Sequence, residues 1–244
     1  MCTVTFVPKT DGFLLAMNRD DAYSRAETTP PLVHTLDDSR ALFPSEINGG
    51  TWIAANDSGL AFCLLNWNRP VLAAKTRSRG EIIPAIAHAT SLEQLAVLMH
   101  QVPSDGLHPF RLIAFSLPEQ SIREWRVHAS PETIDFPWEY RHWFSSGVGD
   151  DEAAKRRQKI CAEALTQPDA LSSSWVRRLH QSHGAEPGPY SICVHRETGG
   201  TLSYTEVETA ATEVTMRYSP TSACKNQPMP SLRLPLRQTS SSQP

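Results

Sequence analysis

Cys2-Thr-Val-Thr-Phe-Val7, Pro8-Lys-Thr-Asp-Gly12 and Phe13-Leu-Leu-Ala-Met-Asn18 decide how this chain folds. The first run is rich in β-branched residues, Asp11-Gly12 is a turn signal, and the third run is apolar. The spacing predicts a hairpin. The same pattern returns in Thr51-Trp-Ile-Ala-Ala55, the turn Asn56-Asp-Ser-Gly59, and Leu60-Ala-Phe-Cys-Leu-Leu-Asn66. The last of these runs is almost continuously apolar, so both faces of that strand are expected to be covered.

Between the two hairpins, residues 19–50 are polar and broken by Pro30 and Pro31, and read as loops and short edge strands. Ser78-Arg-Gly-Glu81 begins a helix that runs to about His88. Thr90 or Ser91 caps a second, with Leu92, Leu95, Leu98 and Met99 on one stripe. Phe110 to Ser116, Ser121 to Val127 and Arg141 to Ser146 read as strands. A helix begins at Asp150-Asp-Glu152 and runs to about Leu165, its acidic start and later basic residues suiting the helix dipole. Leu171 to His180 is predicted helical. Tyr190 to His195, Thr201 to Val207 and Glu213 to Tyr218 are predicted strands, with Thr198-Gly-Gly200 turning between the first two. Nearly every strand connection is a hairpin, which points to an α+β class of antiparallel sheets carrying helices.

The composition is that of a globular protein: 244 residues, 40% apolar and 20% charged. With 23 Lys+Arg against 26 Asp+Glu the net charge is −3, which argues against nucleic acid as a partner. No apolar run reaches about 18 residues, and Met1 to Pro8 has no signal-peptide character, so a cytoplasmic protein without a membrane span is expected. Cys2, Cys63, Cys161, Cys193 and Cys224 are odd in number, widely spaced and without a CxxC pair. Free thiols are expected, with neither a disulfide framework nor a metal site. His180-x-x-His183 places two imidazoles on one helix face but shows no third ligand, and His195 reads as structural. Lys155, Arg156, Arg157 and Lys159 read as a solvated helix face. The chain divides into one domain over 1–218 and a disordered Pro/Ser-rich tail over 219–244. The tail carries Lys225, Arg233 and Arg237 and no acidic residue.

Three features carry chemistry. Removal of Met1 would leave Cys2 with a thiol and a free α-amine on one carbon. These groups titrate near 8.5 and about 7.7–8.0, so one residue supplies a nucleophile and its base. Asn18-Arg19-Asp20-Asp21 ends the strand antiparallel to the one that starts at Cys2, and the hairpin folds these polar residues back beside the thiol. A carboxylate there would orient the amine, and Arg19 would lower the thiol pKa or bind an anion. Asn66 ends an apolar strand, either as a simple terminator or as a donor for an oxyanion.

Taken together, Met1-Cys-Thr-Val-Thr-Phe6, Asp11-Gly12, Asn18-Arg-Asp-Asp21, Gly49-Gly-Thr-Trp52, Asn56-x-x-Gly59, Leu65-Asn66 and Ser78-Arg-Gly80 resemble the NRDE family, which is also named for transport and Golgi organisation. The match is dense over residues 1–90 and diffuse through 190–208. That family is similar to the choloylglycine hydrolases and penicillin V acylases, which are N-terminal-nucleophile hydrolases. The resemblance implies a four-layer αββα sandwich of two antiparallel sheets. It implies Cys2 as nucleophile with its α-amine as base, Asp21 on the acylases' aspartate in a gapless overlay, and Asn66 on their oxyanion-hole Asn.

The acylases read Arg-Asn-Met-Asp where this chain reads Asn18-Arg19-Asp20-Asp21. Arg19 is displaced by one residue and reaches the site only if the backbone bulges or turns. Where the acylases carry a second functional Asn, this chain has Ser145-Ser146-Gly147, so Ser146 either replaces that Asn or leaves its role unfilled. The expected function is an N-terminal cysteine amidohydrolase acting through a thioester on a small non-peptide amide, without a cofactor. Cys2, Arg19, Asp20, Asp21 and Asn66 are its catalytic residues, and Asn18 and Ser146 contact substrate. The alternative that the resemblance implies is a non-catalytic carrier or trafficking protein for haem or an acyl lipid.

Overall fold

The computed structural model describes residues 2–25, 27–70, 77–103, 105–128 and 130–237. Met1, whose removal would expose the Cys2 amine, and residues 238–244 of the expected tail lie outside the described residues. The chain runs through β1 (Cys2–Lys9), β2 (Gly12–Ala22), β3 (Thr28–Leu36), β4 (Ser39–Glu46), β5 (Ile53–Asn56) and β6 (Leu60–Asn66). Helices α1 (Ile82–Ile86) and α2 (Leu92–Gln101) follow, then β7 (Phe110–Ser116), β8 (Ser121–Val127), β9 (Glu132–Phe136) and β10 (Arg141–Ser145). After α3 (Asp150–Ala164) and α4 (Ser173–Gln181) come β11 (Gly199–Thr209), β12 (Glu213–Ser219) and β13 (Ser231–Pro235).

The strands form two sheets in which every pairing is antiparallel: β10-β1-β2-β11-β12-β13 and β3-β4-β5-β6-β7-β8-β9. Strand alternation splits the side chains between two interfaces. Val4, Phe6, Leu15 and Met17 of one sheet meet Ile53, Cys63, Leu65 and Phe115 of the other in the central core. On the outer face of the seven-stranded sheet, Phe62, Leu64 and Leu112 pack on Ile82, Ile86 and Leu95 of α1 and α2. On the outer face of the six-stranded sheet, Leu14, Ala16 and Phe144 pack on Cys161, Trp175 and Leu179 of α3 and α4. The layers are therefore α, β, β, α. Both faces of β6 are covered, which is why its sequence is apolar without alternation.

The first hairpin pairs Cys2 with Arg19 and Lys9 with Gly12. Gly12 is needed because a Cβ there would lie 2.0 Å from the Thr209 carbonyl oxygen. Asn56 ties the second hairpin to the helices: its side-chain amide donates to the Ala87 and Ala89 carbonyls, and its Oδ1 accepts from the Ser58 and Leu60 amides.

The structure departs from the sequence expectations in several places. Residues 19–50, expected as loops and short edge strands, hold the end of β2, the long edge strand β3 and the interior strand β4. Pro30 and Pro31 are accommodated because β3 is an edge strand whose register shifts between Thr29 and Leu32. Strand β9 carries a short, half-exposed pattern that gave no signal. Tyr190–His195 is irregular, its one bridge running from His195 to Gly200, and Gly199-Gly200 open β11 instead of turning. The tail boundary at 219 also differs: β13 pairs with β12 from Glu213↔Pro235 to Arg217↔Ser231 and buries Leu234 in the central core. Alternating Leu232 and Leu234 supply the apolar face that the Pro and Ser content concealed. No helix among the described residues is long and apolar enough to cross a membrane.

Candidate active site at the start of the first strand

Cys2 begins β1, an interior strand next to the edge of the six-stranded sheet, opposite Arg19 on one side and Ser145 on the other. Its parity with Val4 and Phe6 turns the side chain toward the space between the sheets. There it lines a cavity of about 350 Å³ with Arg19, Asp20, Asp21, Glu46, Trp52, Asn66 and Arg79. The thiol is buried, and burial pushes its pKa up. The Asp20 charge adds to this, while the Asp20 backbone N–H and Arg19 act in the opposite direction.

Arg19 reaches the cavity without a bulge in its pairing with β1, because residues directly opposite in an antiparallel pair share a face. The bulge lies on the other side, in β11 between Thr201 and Ser203. The Arg19 guanidinium is fixed at every edge. It donates to Asp21 Oδ2 at 3.1 Å, to Glu46 Oε1 at 2.7 Å and to the Arg25 carbonyl at 3.1 Å, and it stacks 4.5 Å from the Trp52 ring centroid. Arg25 pairs with the same two carboxylates from the solvent side. Asp21 thus belongs to a four-membered ion network at the cavity mouth.

Asp20 is the buried carboxylate of the group. Burial raises its pKa, and the opposing pull comes from Arg157, with Thr201 also acting. Thr201 Oγ1 donates to Asp20 Oδ1 at 2.6 Å, and Arg157 Nη2 stands 3.7 Å from Oδ2. Arg157 also donates to Thr3 Oγ1 at 3.2 Å, to the Ser145 carbonyl at 3.2 Å and to the Cys2 carbonyl at 3.4 Å. One guanidinium therefore clamps β1, β10 and the Asp20 carboxylate. Lys155, Arg156 and Lys159 are exposed as expected, but the reading of Arg157 as part of that solvated face is corrected: Ala153, Arg157 and Cys161, spaced four apart, form the buried side of α3. That spacing was the available signal, hidden by the charged residues around it.

Asn66 ends β6 and borders the cavity from the opposite sheet. Ser146 does not line this cavity. It lies in an adjoining recess of about 190 Å³ that shares Asn66, Arg79 and His108. Its amide donates to Asp150 Oδ1 at 2.6 Å and its Oγ accepts from the Val148 amide. Asn18 does not line the cavity either. Strand alternation turns it to the helix side, where Nδ2 donates to the His180 and Ile192 carbonyls, both at 2.9 Å.

The glycine motifs build the rim. The Thr51 amide donates to the Gly80 carbonyl at 2.9 Å, and a Cβ on Gly50 would meet Gly80 Cα at 3.2 Å. Gly49-Gly-Thr-Trp52 and Ser78-Arg-Gly80 are therefore two halves of one contact that presents Trp52 and Arg79 to the cavity. Sequence reading missed Glu46, Trp52, Arg79 and Thr201 as site residues, because their elements meet only in the folded sandwich.

A family model described as Transport and Golgi organisation 2 matches residues 1–159. No curated protein matches the sequence significantly. Among solved structures, the chain is similar to a Caenorhabditis elegans N-acylethanolamine-hydrolyzing acid amidase ortholog, at TM-score 0.60 and 6% identity over 84% of this chain and 92% of that one. It is similar to the C2A mutant of a conjugated bile acid hydrolase from Clostridium perfringens, at TM-score 0.59 and 12% identity over 95% and 92%. It is also similar to penicillin V acylase from Agrobacterium tumefaciens, at TM-score 0.50 and 10% identity over 90% and 82%. At these identities the likeness shows the shared fold, the N-terminal-nucleophile-hydrolase sandwich.

Proposed function

The chain belongs to the Transport and Golgi organisation 2 family, and on that premise we propose that it is an N-terminal cysteine amidohydrolase acting on a small non-peptide amide. The observation that carries this reading is the position of Cys2. It is the first residue of an interior strand, its thiol faces a cavity of about 350 Å³, and the Asp20 amide is directed at its sulfur. In the solved bile acid hydrolase mutant a cysteine likewise stood at the second position of the chain before its replacement.

Burial holds the Cys2 thiol protonated, so activation needs a base at the sulfur. Once Met1 is removed, the α-amine of Cys2 is that base. It takes the thiol proton as sulfur attacks the amide carbonyl. Asn66 Nδ2 donates to the developing oxyanion from the facing sheet. The tetrahedral adduct expels the amine, which leaves with the proton carried by the α-ammonium. Water then adds to the thioester, its proton passing to the α-amine, and the acid departs as the thiol re-forms. Asp20, held by Thr201 and Arg157, orients the amine. Arg19, locked by Asp21, Glu46 and Trp52, supplies a fixed positive charge beside the sulfur.

The cavity walls favour a compact polar substrate over haem or a long acyl chain, since Arg19, Asp20, Asp21, Glu46, Asn66 and Arg79 are polar or charged. A panel of small N-acyl amides tests the reading against the Cys2→Ala variant. Turnover that disappears in Cys2→Ala supports it. Equal turnover in both proteins, or saturable haem or acyl-lipid binding by the processed chain without any turnover, overturns it.

A further inference from the structure

We propose that His183, Cys193, His195 and Cys224 form a tetrahedral zinc(II) site on the opposite side of Thr201 from Asp20. Among the described residues these four are the one His/Cys/Asp/Glu group whose ligand atoms converge, all lying within 4.8 Å of one another. The individual separations carry the argument. His183 Nε2 lies 3.1 Å from His195 Nε2, Cys224 Sγ lies 3.5 Å from His195 Nε2, and Cys193 Sγ lies 3.8 Å from it. Around a zinc ion with Zn–S of about 2.3 Å and Zn–N of about 2.0–2.1 Å, tetrahedral angles give N···N edges of about 3.3 Å and N···S edges of about 3.5 Å. The three edges that meet at His195 Nε2 already have nearly the lengths of a zinc tetrahedron, and the other three lie within 4.8 Å.

Hydrogen bonding alone explains the convergence poorly. His195 Nε2 offers either one proton or one lone pair, yet three polar atoms face it. A cation at the centre accepts a lone pair from each imidazole and each sulfur. Two thiolates neutralise its two charges, which suits a site beside Lys225. Two sulfurs and two imidazoles in tetrahedral array select zinc among the common divalent ions. Each thiol releases its proton to solvent as its Zn–S bond forms.

The ligands come from three segments that the backbone has already brought together. His183 lies two residues beyond α4. Cys193 and His195 stand two apart in an irregular stretch, and the Cys193 amide donates to the Ser182 carbonyl at 2.9 Å. Cys224 sits in the 3₁₀ turn Ala223–Lys225 that follows β12, and Ser222 Oγ donates to the Thr201 carbonyl at 2.5 Å. A metal here would staple the irregular stretch before β11 and the segment carrying β13 to the end of α4. This is the role a structural zinc plays where regular pairing is missing.

The test uses the full-length, reduced and untagged chain. After exhaustive dialysis against zinc-free buffer, elemental analysis is expected to find about one zinc per chain. Cobalt(II) added to chelator-stripped protein is expected to give the intense visible bands of a tetrahedral cobalt–thiolate centre. Cys224→Ser and His183→Ala are expected to lose both signals, and Cys161→Ala, outside the cluster, to keep them. Less than about a tenth of an equivalent of zinc in the wild-type chain, together with no cobalt–thiolate bands, overturns the proposal whatever the variants do. A Cys193–Cys224 disulfide that persists in the reduced protein also overturns it.

Discussion

Arg157 Nη2 stands 3.7 Å from Asp20 Oδ2, and both side chains are fully buried. This contact joins α3 to the strand that faces Cys2. Arg157→Met leaves the Asp20 carboxylate buried without that cation, which is expected to cost about 3–5 kcal/mol. Adding Asp20→Asn to that variant is expected to recover part of the loss, since the stranded charge is removed. Urea unfolding of the wild-type chain and the two variants checks this, and an unchanged midpoint for Arg157→Met would contradict it.

Buried His180 and half-buried His142 make stability acid-sensitive. Burial pushes His142 down to about 4 and His180 down to about 3, with His142 adding to the effect on His180. They share Thr5, whose Oγ1 lies 2.9 Å from His142 Nδ1 and 2.8 Å from His180 Nε2. In the unfolded chain both rings take up a proton near 6.5. Between that pH and the folded values the unfolded state binds more protons, so stability is full above about 6.5 and falls as pH drops toward 4. The loss is on the order of 3 kcal/mol for His142 and about 5 kcal/mol for His180 once each folded pKa is passed. His180→Gln is expected to flatten the dependence between pH 7 and 4.5, read from unfolding midpoints. An equally steep curve in the variant would count against this account.

Gly12→Ala forces a Cβ to within 2.0 Å of the Thr209 carbonyl oxygen, so β11 must give way along its pairing with β2. The expected loss is about 1–3 kcal/mol. Gly188→Ala is the control, because nothing lies within 4 Å of a Cβ there. Thermal unfolding of both proteins separates the outcomes, and equal melting temperatures would contradict the close approach.

These contacts also show what the sequence could and could not reveal. The two hairpins were legible because strand alternation and turn residues are local, but the register that sets Arg19 opposite Cys2 was not, and Arg19 was expected at the cavity only through a bulge or turn. Asn18 was misassigned because chain proximity does not distinguish the two faces of a strand. Arg157 looked solvated because its neighbours Lys155, Arg156 and Lys159 dominate the pattern. The convergence of His183, Cys193, His195 and Cys224 was invisible because it brings together distant segments, of which only Cys193-x-His195 is close in sequence. Strand β13 was masked by prolines at positions that an edge strand tolerates.

For the proposed reaction, Asn66→Ala removes the oxyanion donor from the facing sheet. The expected result is a fall in kcat of about 10²–10³ with little change in KM. Steady-state kinetics on whichever amide is turned over supply the check. A rise in KM at constant kcat would place Asn66 in binding instead.

The central claim is that Cys2 is a nucleophile activated by its own α-amine. The most direct test compares alkylation of Cys2 at neutral pH in two proteins, followed by intact mass and peptide mapping. One is the processed chain that begins at Cys2, and the other is an N-terminally extended chain in which the Cys2 nitrogen is an amide. Cys224 is not a neutral reference thiol, since its sulfur lies 3.5 Å from His195 Nε2, so the comparison rests on Cys2 alone. The account predicts that Cys2 reacts at least about tenfold faster in the processed chain, because burial keeps the thiol protonated until the free amine is present. Equal rates, or a processed chain whose Cys2 resists alkylation, would contradict it.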